Sequence, residues 1–432
     1  MFITEALNER ERSPLGPVKV AVIGAGQMGE GLIAQMEIMQ GLSPAAVCDV
    51  RPGRAKEVLE SARVSAPIVE TDDPSVAAQA LRDGKRVATT RAQAVFAAEP
   101  VEIVVEATGV PEVGAYVAYH ALLARKHVLQ MNVETDATVG YILRKTARAA
   151  GVVYTLTAGD EPGTTMELYD FAVGLGFQVV SAGKGKNNPL NRHGNPETEA
   201  ERAKQQMMNP KMLASFVDGT KTMVEMTSLG NAIGFPPDVR GMHGPEATPK
   251  TIQNVFVPKE AGGVLSRPGV VDYGLGIAPG VFVVITAEHP KLLRDLTYLG
   301  LGDGPYYALY RPYHLTSLET PISIARAVLH GQTTIATDIP PVCETVAYAK
   351  KNLKAGESID SLGGFTVYGM IEHADTARNE SLLPLGLAPG AVLKRDVAID
   401  TPVTYDDVEL NPDSYIVQLR RMQDTLIKEL GS

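Results

Sequence analysis

The sequence has little cysteine: Cys48 and Cys343 are the only two in 432 residues. Neither lies in a CxxC pattern or at metal-ligand spacing from histidines, which excludes a disulfide framework and a zinc site of the usual kind. No run approaches the roughly 18 apolar residues of a membrane span, and residues 1–16 carry charges where a secretory signal needs an apolar core. We therefore expect a cytoplasmic protein with no membrane partner.

An excess of positive charge is also missing. Lys and Arg total 40 against 50 Asp and Glu, which gives a net charge of −10 and disfavours a nucleic-acid partner. An anionic small molecule would therefore need a local basic pocket. The length indicates two or three domains, and a symmetric homo-oligomer is the default expectation for a soluble enzyme of this kind.

The order of apolar segments predicts an α/β fold. KVAVIGAG, QMGEGLIAQMEIMQG and AAVCDV read as strand, helix and strand, and VEIVVEA, HVLQMN and VVYTLT continue the alternation. Nearly continuous apolar strands indicate a parallel sheet covered by helices on both faces. We predict an N-terminal Rossmann domain with a doubly wound parallel sheet over residues 17–158. A mixed α/β middle domain over 159–331, rich in Gly, Pro and Asn, and a small β-rich module over 332–432 would follow.

A glycine-rich turn connects the first strand to the first helix. It has the GxGxxG spacing and comprises Gly24, Ala25, Gly26, Gln27, Met28 and Gly29. The first glycine permits the tight turn, the second lets the backbone approach a diphosphate, and the third allows close packing of helix and strand. Amides at the helix start can hold the diphosphate. This context predicts a dinucleotide site, the alternative being a glycine turn in a nucleotide-free α/β protein.

Two signals for the choice of dinucleotide conflict. Asp49 ends the second strand, where a carboxylate accepts hydrogen bonds from the adenosine ribose of NAD. Arg51 and Arg54 follow at the distance at which cations pair with the 2′-phosphate of NADP, although both can equally be solvated surface residues. We predict NADP as the cofactor, with NAD as the alternative.

Two further loops follow predicted strands and are expected at the nicotinamide side of the sheet. The first contains Ala107, Thr108 and Gly109, and the second contains Asn132 and Glu134. The carboxyl ends of parallel strands line the cofactor crevice in such folds. Each loop can also be a plain helix cap, because Thr and Asn are common at those positions.

Adjacent carboxylates follow the strand VVYTLT. Asp160 and Glu161 stand where active-site loops of parallel sheets belong, and paired acids can share a proton or bind a metal. They are therefore catalytic candidates and candidate metal ligands. The alternative is that they only cap a helix starting at Pro162. The sequence leaves the metal undecided.

A cluster of hydrogen-bond donors occurs in the segment KGKNNPLNRH. On an acidic protein such a cluster suits a phosphate or carboxylate substrate. Lys184 or Lys186 is predicted to carry the hydroxyl proton during hydride transfer, because a lysine with a lowered pKa can act as acid or base. Substrate contacts are predicted for Asn187, Asn188 and Arg192. The alternative is a solvated polar loop.

Two weaker substrate-binding candidates lie further along the chain. Asn231, together with Glu225, interrupts an apolar helix pattern, and His314 lies in YRPYHLTSLE. Such residues face a cleft or satisfy buried backbone groups. A lone histidine is more often structural than catalytic.

These segments, with LKAGESI and GLAPGAVLKRDVAIDTPVTYDDVEL near the C-terminus, resemble the homoserine dehydrogenase-like oxidoreductases that carry a C-terminal SAF domain, a family that includes a 1-deoxy-D-xylulose 5-phosphate reductoisomerase-like enzyme. The resemblance implies NADPH-dependent conversion of that phosphorylated ketose to 2-C-methyl-D-erythritol 4-phosphate in isoprenoid biosynthesis. Homoserine dehydrogenases have Asn-Lys where this chain has Asn132-Val133, which counts against plain homoserine chemistry.

Two other functions stay open at this point. One is an NAD(P)-dependent dehydrogenase or oxidoisomerase of a sugar acid or hydroxy acid, and the other is a non-enzymatic sensor of the redox cofactor. The polar segment KGKNNPLN argues against pure sensing, because a sensor needs no substrate chamber. In either enzymatic case the partner is a small phosphorylated or carboxylated sugar-like molecule.

Overall fold

The computed structural model describes residues 3–431. Its strands are β1 Val18–Ile23, β2 Leu42–Cys48, β3 Ile68–Glu70, β4 Arg86–Thr89, β5 Ile103–Glu106, β6 His127–Gln130, β7 Tyr154–Leu156, β8 Gln178–Lys186, β9 Val270–Leu275, β10 Val281–Thr286, β11 Tyr307–Arg311, β12 Cys343–Ala349, β13 Val367–His373, β14 Val392–Leu393 and β15 Val408–Glu409. Its helices are α1 Ile3–Arg12, α2 Gln27–Glu37, α3 Arg54–Ser61, α4 Pro74–Arg82, α5 Ala92–Phe96, α6 Pro111–Leu123, α7 Val133–Ala150, α8 Glu161–Gly174, α9 Ala200–Gln205, α10 Pro210–Val217, α11 Thr220–Ile233, α12 Ile252–Val255, α13 Pro290–Tyr298, α14 Thr316–His330, α15 Ala374–Asn379 and α16 Tyr415–Gly431.

The chain divides into two compact units. Unit 1 runs up to Gly163 and also contains Leu315–Asp338 and Met422–Leu426. Unit 2 comprises Thr164–His314, Ile339–Arg421 and the residues from Ile427 onward.

Unit 1 is built on a seven-stranded parallel sheet in the order β3-β4-β2-β1-β5-β6-β7. The strand order reverses beside β1, whose neighbours are β2 and β5. In such sheets the ligand crevice lies at the carboxyl ends of the strands at this switch point. The predicted α/β class and the doubly wound parallel sheet are confirmed.

Local sequence signals explain several helix starts in unit 1. The Asp73 carboxylate accepts hydrogen bonds from the amides of Ser75 and Val76, and Pro74 occupies the first helical position of α4. Asn132 similarly caps α7 by accepting from the amide of Thr135. Both caps satisfy amides that have no partner within their own helix.

Unit 2 contains a four-stranded mixed sheet in the order β11-β10-β8-β9. Strand β8 pairs in parallel with β9 and antiparallel with β10. Phe256 and Phe282 stack with ring centroids 4.4 Å apart in an apolar cluster of this unit. The antiparallel pairs β12–β13 and β14–β15 lie in the C-terminal part of unit 2.

The division into units differs from the three predicted domains in two respects. Helix α14, predicted in the middle domain, belongs to unit 1, because its Ile324, Ala325 and Ala327 are buried in the same apolar cluster as Leu32 and Ile33 of α2. Most of the predicted C-terminal module shares unit 2 with the middle domain. Both differences arise from contacts between segments that are distant in sequence.

Candidate cofactor and substrate sites

The glycine turn has the backbone that its spacing predicts. Gly24 has φ +102°, and a Cβ added there would lie 2.7 Å from the carbonyl carbon of Ala107. A Cβ at Gly29 would overlap the carbonyl oxygen of Gly24. Neither position therefore accepts a side chain without a backbone shift. These glycines bring β1, the first turn of α2 and the loop after β5 close together.

Gly26 differs from the other two glycines. A Cβ added there would meet no atom within 4 Å, and the residue has an ordinary extended backbone. Gly26 is the N-cap of α2 and makes no side-chain capping bond. The turn thus presents open space next to the start of an eleven-residue helix. That arrangement fits a dinucleotide diphosphate held by amides.

The remaining residues of the turn, Ala25, Gln27 and Met28, differ in burial. Ala25 is buried and its amide donates to Asp49, whereas Gln27 is exposed and Met28 is half-buried. The predicted cofactor contacts of these residues stay predictions.

The carboxylate of Asp49 fixes the end of β2. It accepts hydrogen bonds from the amides of Ala25 and Arg51, each at 3.0 Å, and from the guanidinium of Arg51 at 3.0 and 3.1 Å. Burial disfavours the ionised form of Asp49, but the bonds from Arg51 and Ala25 outweigh it and hold the pKa of the carboxyl below its ordinary value. Arg51 itself is 62% exposed and lines a cavity of about 250 Å³ with Lys56 and Thr89.

Arg54, the second predicted phosphate-binding arginine, already has internal partners. Its guanidinium contacts the carboxylates of Glu30 and Glu57 and the carbonyl oxygen of Ala25. We therefore assign it a structural role at the start of α3.

Strand β5 ends in a buried carboxyl, Glu106, that was not among the predicted site residues. The Glu106 carboxyl accepts hydrogen bonds from the backbone amide and the hydroxyl of Thr108 and from the side-chain nitrogen of Gln130. Burial raises its pKa to about 7, against the opposing effect of the bonds from Thr108. The signal that could have found it was a glutamate ending an apolar strand.

The remaining residues predicted at the nicotinamide side occupy the same two strand ends. Ala107 and Gly109 flank Thr108 after β5, and Asn132 and Glu134 lie at the start of α7. All of them belong to unit 1, and their contacts with a cofactor stay predictions.

The predicted acidic pair lies after β7. Asp160 is buried, while Glu161 is half-buried and is the first residue of α8. The helix therefore begins one residue before the predicted Pro162. Both carboxylates have interaction partners in the structure.

The lysines of KGKNNPLNRH do not lie in a solvated loop. Lys184 and Lys186 are the last charged residues of β8, and each is only 5% exposed. The alternative of a solvated polar loop is wrong for these two positions, because both belong to a strand that pairs with β9, and Lys184 also pairs with β10. Lys184 forms a buried ion pair with Glu225 of α11, which compensates for the loss of water.

Lys186 has a different environment from Lys184. Its Nζ donates to the backbone carbonyl oxygens of Asn188, at 2.6 Å, and Phe216, at 2.8 Å. Burial, reinforced by the positive charge of Lys184, lowers the pKa of Lys186 to about 8. A neutral amine can donate its two hydrogens to these two carbonyls and keep its lone pair for a proton.

The residues after β8 form the rest of the basic segment. Asn187, Arg192 and His193 are exposed, and Asn188 is half-buried with its side-chain oxygen bound by Arg202. Hydrogen-bond donors therefore lie on the surface within a few residues of Lys186 along the chain. Their predicted substrate contacts stay predictions.

The two weaker candidates have different surroundings. The Asn231 side-chain oxygen accepts from the amides of Val342 and Cys343, and its nitrogen donates to the Cys343 carbonyl oxygen. This pattern joins α11 to the start of β12 and gives Asn231 a structural role. His314 is half-buried in the segment after β11.

Two family models match parts of the chain. Residues 159–320 match oxidoreductase DRL, catalytic domain, and residues 344–409 match the SAF domain. The predicted enzyme class, an NAD(P)-dependent oxidoreductase, is confirmed by the first match together with the Rossmann fold. The match to a catalytic domain also counts against the sensor reading, and the predicted SAF-like segment is confirmed.

Comparison with solved structures finds several oxidoreductases. A probable dehydrogenase from Thermotoga maritima is 13% identical, covers 73% of this chain and 90% of its own, and has a TM-score of 0.42. A scyllo-inositol dehydrogenase from Lactobacillus casei, with bound NAD(H) and scyllo-inositol, is 12% identical, covers 68% and 76%, and has a TM-score of 0.38. These values do not assign a substrate to this chain.

A search of curated proteins finds no match. Among residues 3–431, no helix has the length and apolar character needed to cross a membrane.

Proposed function

We propose that the protein transfers hydride between NADPH and a phosphorylated or carboxylated sugar-like substrate, with Lys186 carrying the hydroxyl proton. The observation that carries this proposal is the buried Lys186 amine, held by two backbone carbonyls, with a pKa lowered to about 8. A proton carrier works best when its pKa lies near the working pH. Unit 1 would bind the dinucleotide and unit 2 would bind the substrate.

The cofactor, the glycine turn and the two lysines would have separate roles in hydride transfer. A bound nicotinamide dinucleotide supplies or accepts the hydride. The open space at Gly26 and the amides at the start of α2 accommodate the diphosphate. Lys184, paired with Glu225, keeps a positive charge beside Lys186, where it favours the neutral amine and stabilises a substrate oxyanion.

The test is a substrate screen with the purified protein, following the absorbance of the reduced nicotinamide. 1-Deoxy-D-xylulose 5-phosphate, sugar acids and hydroxy acids including homoserine are each offered with NADPH or NADH, with and without Mg²⁺ because Asp160 and Glu161 are the proposed metal ligands. Turnover of an anionic sugar-like compound is expected. Turnover only of uncharged alcohols would contradict the proposed substrate class.

The narrower reaction implied by the family resemblance is rearrangement and reduction of 1-deoxy-D-xylulose 5-phosphate. The match of residues 159–320 to the DRL catalytic domain supports testing it first. Formation of 2-C-methyl-D-erythritol 4-phosphate would establish rearrangement, whereas an unrearranged polyol would indicate plain reduction. The contacts of Lys184 and Lys186 serve either reaction.

The ionisation of Lys186 predicts opposite pH profiles for the two directions. Oxidation of an alcohol needs the neutral amine as base, so kcat/KM should rise as the pH rises through about 8. Reduction needs the ammonium form as acid, so kcat/KM should fall above that pH. Initial rates across the pH range measure both limbs. Profiles that bend in the same direction would remove Lys186 from proton transfer.

We further propose that Arg51 selects NADPH. It is the exposed cation beside Asp49, and it can leave that carboxylate for a 2′-phosphate. Arg51→Ala should raise KM for NADPH by about 10- to 100-fold, the effect of one lost charged contact, and change KM for NADH little. Arg82→Ala, at an exposed surface ion pair with Glu99, is the control. A wild-type preference for NADH would contradict this assignment.

A further inference from the structure

Lys350 is a buried lysine in the segment that matches the SAF domain. It follows β12 directly and is 4% exposed. Its Nζ donates to the carbonyl oxygens of Gly194 and Gly364 and to the carboxylate of Asp218, each at 2.8 Å. All three hydrogens of the ammonium are therefore used, and the charge is paired, which is the condition for keeping a lysine in a protein interior.

Two of these partners, Asp218 and Gly194, lie next to the chain segments that contact Lys186. Asp218 follows α10, two residues after Phe216, whose carbonyl oxygen accepts from Lys186. Gly194 directly follows the basic segment KGKNNPLNRH, and its amide donates to the Asn191 carbonyl oxygen. The amide of Asn191 in turn donates to the carbonyl oxygen of Val217. Lys350 thus fixes both chain segments whose carbonyls hold the Lys186 amine.

Other contacts join the same two parts of unit 2. His193 and Tyr368 both contact the Asp400 carboxylate, at 2.9 and 3.1 Å. Gly363 has φ +68°, and a Cβ there would overlap the carbonyl oxygen of Lys211 in α10. The SAF segment is therefore packed closely against α10 and the basic segment, and Lys350 is the buried charge within that packing.

We propose that Lys350 is a positioning residue for Lys186: it holds the turn at Phe216–Asp218 and the end of the basic segment so that the Lys186 amine points in one direction. This inference rests on the proposed role of Lys186 in proton transfer. It gives the SAF segment a part in the chemistry although no residue of that segment needs to touch the substrate.

The charges around Lys186 predict how its ionisation responds. Lys184 and Arg202 disfavour the ammonium form, and Asp218 and Glu225 favour it. Burial raises the pKa of Asp218, and Lys350 opposes that shift. Lys350→Met would therefore favour the neutral form of Asp218 and remove the negative charge beside Lys186, so the pKa of Lys186 should fall. Asp218→Asn removes the same charge and should lower the pKa of Lys186 as well. A lysine that only stabilises the fold would leave kcat of the folded variants unchanged.

Competitive acetylation of the full-length protein, read by mass spectrometry at Lys186 across a pH series, measures this pKa without substrate. The same variants are assayed for kcat and KM with the substrate found in the screen. We expect Lys350→Met to lower the Lys186 pKa and to lower kcat about tenfold with KM little changed, because misplacing a catalytic group acts on turnover. The double variant K350M/D218N should show the same lowered pKa and the same loss of kcat as Lys350→Met, because the negative charge of Asp218 and the hydrogen bonds of Lys350 are missing in both. Lys354→Met, which breaks an exposed ion pair with Asp396 in the same segment, is the control.

Each result decides the proposal. If Lys350→Met does not fold, Asp218→Asn carries the test, since it leaves Lys350 its two carbonyl partners. An unchanged Lys186 pKa and kcat in the variants that fold would overturn the positioning role. A lowered Lys186 pKa in these variants, in a protein whose activity survives Lys186→Met, would instead support the coupling of Lys350 to Lys186 and refute the role of Lys186 in proton transfer, so the two failures are distinguishable.

Discussion

Replacing Lys186 by methionine should lower kcat for hydride transfer by about 10²- to 10⁴-fold, the usual contribution of a positioned acid or base. Methionine keeps a similar chain length inside the strand but cannot carry a proton. The Kd for the dinucleotide should stay unchanged, because the proposed diphosphate contacts lie at the glycine turn and do not include Lys186. Steady-state kinetics and fluorescence titration with the reduced cofactor measure the two quantities.

The control for this variant is Lys291→Met, which removes an exposed lysine of α13 that pairs with Asp295. Its kcat should equal that of the unchanged protein. A second variant, Lys186→Ala, leaves space for a small amine from solution, and added alkylamines should restore part of the lost turnover. Full activity in Lys186→Met would refute the proposed role of Lys186 as proton carrier. Loss of turnover that added amines do not restore would mean that Lys186 acts on turnover only through packing.

Local patterns were sufficient to predict the dinucleotide-binding edge. The spacing of Gly24, Gly26 and Gly29, followed by Asp49 after the next strand, is set by contacts within one βαβ unit. In the structure Gly24 and Gly29 make the close approaches that the pattern requires, and the amide of Ala25 donates to Asp49. The same alternation of apolar strands and amphipathic helices predicted five of the seven strands, whereas the short strands β3 and β4 were not predicted.

The surroundings of the lysines could not be predicted in that way. Lys184 meets Glu225 across 41 positions of sequence, and Lys350 meets Asp218 across 132. A run of polar residues is compatible with a solvated loop until the partners of its lysines are known, because burying a lysine costs free energy unless hydrogen bonds or an opposite charge replace water. The same dependence on distant contacts moved α14 into unit 1.

Arg54 shows that sequence spacing alone cannot identify a ligand-binding arginine. Its position after β2 matches that of a phosphate-binding arginine, yet Glu30 and Glu57 occupy its guanidinium. Sequence spacing placed the cation correctly along the chain but gave no information on which acidic side chains of α2 and α3 compete for it. Arg51 pairs with Asp49 but has most of its side chain exposed, so it can also contact a ligand.

Replacing Gly26 by valine should weaken dinucleotide binding by about 100-fold, equivalent to ~2.7 kcal/mol, while leaving the midpoint of thermal unfolding nearly unchanged. The two effects separate because Gly26 has φ −77° and ψ −170°, which a β-branched residue adopts without strain, and because a Cβ added there meets no protein atom within 4 Å. The valine methyl groups would fill the space that the diphosphate needs.

Gly29→Ala provides the contrast, since its Cβ would overlap the Gly24 carbonyl oxygen and should lower both stability and cofactor affinity. Gly174→Ala, at a position in α8 with no atom within 4 Å of the added Cβ, is the control and should change neither. Titration calorimetry with NADPH and thermal unfolding of the three variants give the comparison. Unchanged NADPH affinity in Gly26→Val would mean that the diphosphate does not lie at the start of α2, and the dinucleotide assignment to this turn would have to be abandoned.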